Sequence, residues 1–477
     1  MGEEIEDIEY SREAFQAFAE RLKAETELFK RWWKEGLLAD EAPHIGLELE
    51  AWLVDASARP APLNAEVLNT LRNPMVVPEL AQYNLEFNSR PLALAGRSFS
   101  ALEQELLELW KLAGRAAAEH QARLAMIGIL PTVDDADLGL ERMSRLKRYH
   151  ALNEQVLVLR NRRPIQLDIE GVEQLRTSHN DVMLESAATS LQLHLQASAA
   201  QAPALFNAAV MVSAATVALA ANSPYLFGRR LWEETRIPLF EQAVVVGPQH
   251  GGHAGPMARV GFGSGYARDA LYGFFVENRQ HYPVLLPVLM NEPVEKLAHL
   301  RLHNGTIWRW NRPLVGFCAD GRPHLRIEHR VMAAGPTPLD MTANAAFFYG
   351  VVRALAQRPG GPDARLPFPL AERNFYAAAR HGLAARVTWR GGQEVDLAQL
   401  IDEELLPLAE TGLVSAGVDK AEAERYLGVV RARVRGRRTG SAWQIGFVER
   451  HGPNFRALLE RYLENQERNV PVHEWAV

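Results

Sequence analysis

One cysteine, Cys318, is all that the 477 residues contain. A lone thiol excludes an internal disulfide and suits a reducing compartment, so a cytoplasmic protein is expected. A basic excess is also missing, the formal net charge being −6. Nucleic-acid binders usually oppose the phosphate backbone with surplus Lys and Arg, so no nucleic-acid partner is expected. The opening stretch, MGEEIEDIEYSREAFQAF, is acidic without an apolar centre, which excludes a secretory signal there. One apolar run, Pro203–Pro224, has the length to be tested as a membrane span. It is Ala-rich, carries Asn207, Ser213 and Thr216, and lacks basic anchors on its N-terminal side. A buried helix is the expectation, and no membrane contact. There are no repeats and no low-complexity tract.

With 47% hydrophobic and 23% charged residues, the composition is that of a globular protein able to fill a large core. Residues 11–40 read as an amphipathic helix ending near Gly36, and 44–54 as a strand. A Pro- and Asn-rich loop is expected over 59–78, then a strand at 83–88. Ser98 is placed as the cap of a long helix running through LEQELLELWKLAGRAAAEHQARL, and LAMIGI as a short strand. Strands are expected at 189–196 and 325–331, with a Gly-rich loop at 247–267 between them. TWRGGQEVDLAQL reads as a short strand and turn, and 397–468 as mostly helical. A boundary at Pro359–Pro362 divides a unit at 1–360 from a mostly helical region at 361–477.

Four of these strands share one logic. HIGLELEAW puts Glu48 and Glu50 on one face and Leu47 and Leu49 on the other. YNLEFN sets Asn84, Glu86 and Asn88 against Tyr83, Leu85 and Phe87. SLQLHLQ sets Gln192, His194 and Gln196 against leucines. LRIEHRV sets Arg326, Glu328 and Arg330 against Leu325, Ile327 and Val331. A half-solvated antiparallel sheet alternates the same way. A solvated face, however, favours Lys, Thr and Ser, and no Lys occurs on any of the four strands.

Convergence of these faces would gather Glu48, Glu50, Glu86, Glu328 and His194 in one cavity beside Arg326 and Arg330. Carboxylate oxygens with a single imidazole suit Mg²⁺ or Mn²⁺ rather than a thiolate-type zinc site. Mg²⁺ keeps open positions for phosphate oxygens, and arginines hold phosphate or carboxylate in a fork. Together they point to chemistry on a nucleoside triphosphate.

The same residues carry a resemblance. In order along the chain stand GLELEAWLVD, VPELAQYNLEFNSRPL, TSLQLHLQ, ANSPYLFGRRLWEETR, LHNGTIWRWNRP and LRIEHR. This series, over roughly 44–357, resembles the glutamate–cysteine ligase type 2 family of carboxylate–amine ligases, whose catalytic fold is that of glutamine synthetase. The resemblance implies an α+β fold: a curved, mostly antiparallel sheet with helices on its outer face, here followed by a helical C-terminal extension. It adds Glu79 to the metal set of Glu48, Glu50, Glu86, His194 and Glu328. It assigns Arg330 to the transferring phosphoryl group and Arg236 and Arg312 to a substrate carboxylate or the phosphate, and Arg326 is expected beside the nucleotide. It implies ATP with Mg²⁺ (or Mn²⁺) as cofactors, glutamate and an amine such as cysteine as substrates, and an acyl-phosphate intermediate. A homo-oligomer is compatible with it. Two departures stand out: the first His of the family's H-x-H strand is Gln192, and the Gly before that strand is replaced by Thr189–Ser190.

Two alternatives stay open from sequence: a nucleotide- or amino-acid-binding relative without turnover, and a ligase or kinase with another amine or a guanidine as acceptor. The 247–267 loop is a candidate lid. GFGSGYARD lacks the strand and Lys of a phosphate-binding loop. Five arginines crowd 431–438, where a solvated helix end is the first reading and an anion contact the second. Cys318 has no base partner in the sequence and reads as structural.

Overall fold

The computed structural model describes residues 10–246, 258–358 and 365–477. Helix α1 (Arg12–Glu35) is capped by Ser11 and stopped by Gly36, whose φ of 69° closes the last turn. Strand β1 (His44–Val54) is the spine of an eight-stranded sheet. Beside it run β2 (Val76–Pro78), β3 (Asn84–Asn88), β4 (Leu92–Ala93) and β5 (Arg123–Ala125). Farther along the chain come β6 (Ser190–Ala197), β7 (Asn311–Phe317) and β8 (Pro323–Ala333). The spatial order is β7-β8-β6-β1-β3-β2, with every pairing antiparallel, and β4 and β5 pairing with the ends of β1.

The leucines of the central strands face helices α2 (Ala202–Leu219) and α3 (Pro338–Ala356), so the apolar run expected to be a buried helix is one. It is long and apolar enough to cross a membrane, yet 94% of it is buried inside the protein. Tyr349 of α3 ties the layers together by donating to the carbonyls of Gly46 and His194 at 2.8 and 3.1 Å. Helices at 406–415 and 420–436 then pack on α3, and helices at 440–451 and 455–467 pack on each other. Gly350 and Gly412 let two of these backbones touch: a Cβ on Gly412 would stand 1.9 Å from the Gly350 carbonyl oxygen. Arg433 enters the same layer and pairs with Asp340 at 2.6 Å, both buried.

Several local expectations are corrected. The 59–78 segment is not all loop; it holds a helix at Asn64–Leu71 and strand β2. Ser98 does not cap its helix, which spans Ser98–Glu119, because Arg97 occupies the cap position. Glu422 instead accepts from the Ser100 amide and hydroxyl. The LAMIGI strand shrinks to Arg123–Ala125. The boundary at Pro359–Pro362 lies outside the described residues, as do residues 247–257 of the candidate lid. All five arginines of 431–438 are committed to protein partners: Asp402, Asp340, Asp396 and the Trp475 carbonyl. Cys318 is half-buried, 3.6 Å from His324 Nδ1.

Candidate active site

The four polar faces do converge. On β1, Glu50 lies opposite Glu86 of β3, while Glu48 lies opposite Gln192 of β6. On the far side of β6, His194 lies opposite Glu328 of β8, and Glu328 lies opposite Arg312 of β7. The two-residue period therefore lays acid, base and amide side by side across five strands.

Two carboxylate groups result. In the first, ligand atoms of Glu48, His194 and Glu328 lie within 4.8 Å of one another. His194 Nε2 is 3.2 Å from Glu48 Oε1 and 4.0 Å from Glu328 Oε1. Both ring nitrogens are buried without an aligned hydrogen bond. Arg312 grips Glu328 in a fork, at 2.7 and 3.0 Å, and Arg330 reaches the same carboxylate at 3.2 Å. Burial pushes Glu328 up, but Arg312 and Arg330 outweigh it and hold the carboxyl far below its usual range. Burial likewise opposes ionisation of Glu48, and the neighbouring His194 turns the balance downward.

In the second group, Glu50, Glu79 and Glu86 also lie within 4.8 Å of one another. Glu50 accepts from the Ser190 amide at 2.7 Å and the Gln192 amide at 2.8 Å. Glu79 accepts from the Leu80 amide, and Glu86 from Asn88. No arginine fork reaches these three among the described residues. Burial and then Glu79 push Glu50 up to about 7. Burial and the charges of Glu48, Glu79 and Glu50 push Glu86 up further. Two carboxylates about 4 Å apart repel by about 4 kcal/mol at an effective dielectric of about 20. A net hydrogen bond returns only about 1 kcal/mol, so this group needs protons or a cation.

Arg330 stands between the groups. Its guanidinium donates to Glu328 in the first and to the Gln192 side-chain oxygen, and the Gln192 amide donates to Glu50 in the second. A bulge between His329 and Met332 sets that reach, one residue more on β8 than on β6. The Gln192 departure is thus a connector. A second imidazole is absent there, and an amide that both donates and accepts joins the two groups.

The other arginines divide. Arg312 is bound up with Glu328 rather than left open for substrate. Arg236, 2% exposed, donates to the carbonyls of Arg330 and Val331, sits 3.4 Å from Glu234 and lies over the Trp310 ring. Both therefore brace the site, although Arg236 also lines the cavity next to Glu50 and Arg330. Arg326 has no ion pair among the described residues, its buried Nε has no hydrogen-bond partner, and Glu48 and Glu328 are its nearest opposite charges.

The donor sets fit hard divalent cations. Oxygens dominate both groups, the single imidazole has two orphaned nitrogens, and no thiolate is present. Glu48, His194 and Glu328 would hold one ion and Glu50, Glu79 and Glu86 another.

Sequence reasoning missed Glu185. It sits on a short 3₁₀ turn (Met183–Ala187) at the entry to β6 and lines the cavity with Asn84, Arg236 and Arg330. Its one signal was a carboxylate inside the apolar run VMLESAA.

The fold is one that carboxylate–amine ligases use. The structure of glutamate–cysteine ligase from Francisella tularensis in complex with AMP is similar at a TM-score of 0.51 and 12% identity, over 92% of this chain and 96% of that one. A bifunctional glutathione synthetase from Pasteurella multocida is similar at 0.52 and 10% identity, over 94% of this chain and 55% of that one. No curated protein matches the sequence. The family model for glutamate-cysteine ligase family 2 matches residues 44–460, and the chain belongs to that family. The match runs beyond the 44–357 span of the motif resemblance into the C-terminal helices.

Proposed function

We propose that this protein is an ATP-dependent ligase that joins a carboxylate, the side chain of glutamate, to an amine such as cysteine. The observation that carries the reading is Arg330, bonded to Glu328 and through Gln192 to Glu50, so that one guanidinium links the two carboxylate groups. Phosphoryl transfer needs that arrangement, because attacking oxygen, leaving oxygen and transferring group all carry negative charge.

The glutamate carboxylate attacks the γ-phosphorus of ATP, a C–O–P link forms, and ADP departs with the electron pair of the broken P–O bond. The amine nitrogen then attacks the acyl carbon, and phosphate leaves. Glu48, His194 and Glu328, and Glu50, Glu79 and Glu86, would each hold a Mg²⁺ or Mn²⁺ ion, which would supply charge neutralisation for the phosphates. Arg330 meets the charge on the transferring group, and Arg326 offers its uncommitted guanidinium to a phosphate oxygen. Arg312 fixes the rotamer of Glu328, and Arg236 holds the bulge that aims Arg330. Glu86, Glu328 and Arg330 are buried, which would limit the water beside an acyl phosphate.

The test is ADP release from Mg²⁺-ATP with L-glutamate, with and without a panel of amines headed by L-cysteine, in wild type and Glu50→Gln. Amine-dependent release lost in Glu50→Gln supports the reading. Nucleotide binding without turnover on any pair would point to a non-catalytic relative, and no nucleotide binding would overturn the assignment of the strands.

A further inference from the structure

Beside the second carboxylate group is a cavity of about 40 Å³, lined in part by Glu50, Glu79, Asn84, Glu185, Arg236 and Arg330. That volume holds the polar head of a small molecule and no more. Most hydrogen-bonding groups on its wall are already used. Glu50 spends both oxygens on Ser190 and Gln192. Ser186 donates to the Met183 carbonyl and Thr189 to the Ile127 carbonyl. Ser190 Oγ accepts from Gln192.

Four buried atoms on this wall are without a partner: Arg236 Nε and Arg330 Nε, on guanidinium groups bonded elsewhere, and one atom each of Glu185 and Asn84. Glu185 Oε2 is buried and has no hydrogen-bond partner, and Glu185 belongs to neither carboxylate group. Asn84 is 3% exposed, and its Nδ2 is buried with no partner. A buried acceptor and a buried donor left open cost stability unless something binds them. The matching ligand head has N–H donors with positive charge for Glu185 and an acceptor oxygen for Asn84.

We propose that Glu185 and Asn84 form the subsite for the acceptor amine, Glu185 taking its ammonium group. The inference rests on the ligase reading above. It makes the acceptor a primary ammonium compound bearing an oxygen acceptor, the class to which α-amino acids belong. Glu185 then acts directly on substrate. One N–H proton passes to Oε2, the freed nitrogen lone pair forms the C–N bond, the C–O bond to phosphate breaks with its electrons leaving on phosphate, and the departing phosphate takes the second N–H proton, which leaves a neutral amide. Burial pushes Glu185 up, ahead of the charges of Glu79 and Glu50, which agrees with a carboxyl able to accept that proton.

The experiment compares wild type, Glu185→Gln and Glu185→Asp, each with L-glutamate and Mg²⁺-ATP. One arm uses hydroxylamine, uncharged at neutral pH, which traps an acyl phosphate as hydroxamate. The other uses charged amines: ammonium, methylammonium and the α-amino acids including L-cysteine. Glu185→Gln should lower hydroxamate formation far less than turnover with the charged amines, whose KM should rise about tenfold or more. Glu185→Asp should recover part of that loss. Equal losses in both arms, an unchanged amine KM, or hydroxamate formation with no response to any charged amine would overturn the subsite. Absence of hydroxamate in wild type would instead remove the ligase reading and the subsite with it.

Discussion

The two carboxylate groups lie side by side on one sheet, yet the chain treats them oppositely. Around Glu328 it supplies its own cations, a forked Arg312 and Arg330. Around Glu86 it supplies amide donors but no arginine fork among the described residues. Glu328 is accordingly held far down and Glu86 pushed up, although each is only 1% exposed. Burial alone therefore does not set the ionisation here; the neighbours do. The first group is balanced by the fold itself, whereas the second is stressed until a ligand arrives.

That contrast can be broken by substitution. The largest effect is on turnover: Glu86→Gln should lower ADP release by about 10²–10³-fold, as removal of a charge-stabilising group from a reaction centre does. In metal-free buffer the same variant should melt no lower than wild type, since it removes one of three crowded like charges; a large loss of stability there would show that the group is balanced within the fold. Arg312→Met gives the reverse outcome. It strips the forked partner from a buried carboxylate, and urea unfolding should register a loss of about 3–5 kcal/mol. Divalent ions sharpen the difference further. Mg²⁺ or Mn²⁺ at about 100 times its Kd should stabilise wild type by about 2.7 kcal/mol, read as a rise in melting temperature, and Glu86→Gln should lose much of that gain.

The smallest effect calibrates the others with a buried carboxyl remote from both groups. Glu241 accepts from Trp310 and Tyr376 at 2.8 and 2.7 Å, and burial pushes it from 4.5 up to about 7. The unfolded chain releases this proton near pH 4.5 and the folded chain near 7, so between them the folded state binds more protons. Stability attributable to Glu241 therefore falls as pH rises through that window. Glu241→Gln should flatten this part of the stability profile, and an unchanged slope would exclude Glu241 as its source.

What is legible in the sequence follows the same division. Strand alternation is a local rule with period two, so the residue order by itself places Glu48, Glu50, Glu86, His194 and Glu328 on one face. Destinations of long side chains are not local. Arg236 and Arg312 are expected to face substrate, but the partners that hold them, the Val331 carbonyl and Glu328, lie in other strands. Ser98 fails as a cap because Arg97 starts the turn, with Glu422 from the far end of the chain meeting the next residues. The 59–78 segment is rich in turn-forming Pro and Asn, and packing still winds its middle into a helix. Glu185 is invisible because a 3₁₀ turn has no amphipathic period to read; of the 431–438 arginines, Arg435 and Arg437 are exposed as a solvated helix end should be, while Arg433 is buried against Asp340 of α3.

The bulge in β8 has an evolutionary consequence. Its extra residue changes the phase of the strand, so His329 lies opposite Leu193 while Met332, three positions on, lies opposite Leu191. Loss of a single codon at Val331 would make the residue count on β8 equal to that on β6 and return the strand to unbroken pairing. What would vanish is one of the two carbonyls that hold Arg236, and with it the aim of Arg330. Inheritance of the sheet pairing and inheritance of the Arg330 placement are separable at this one position.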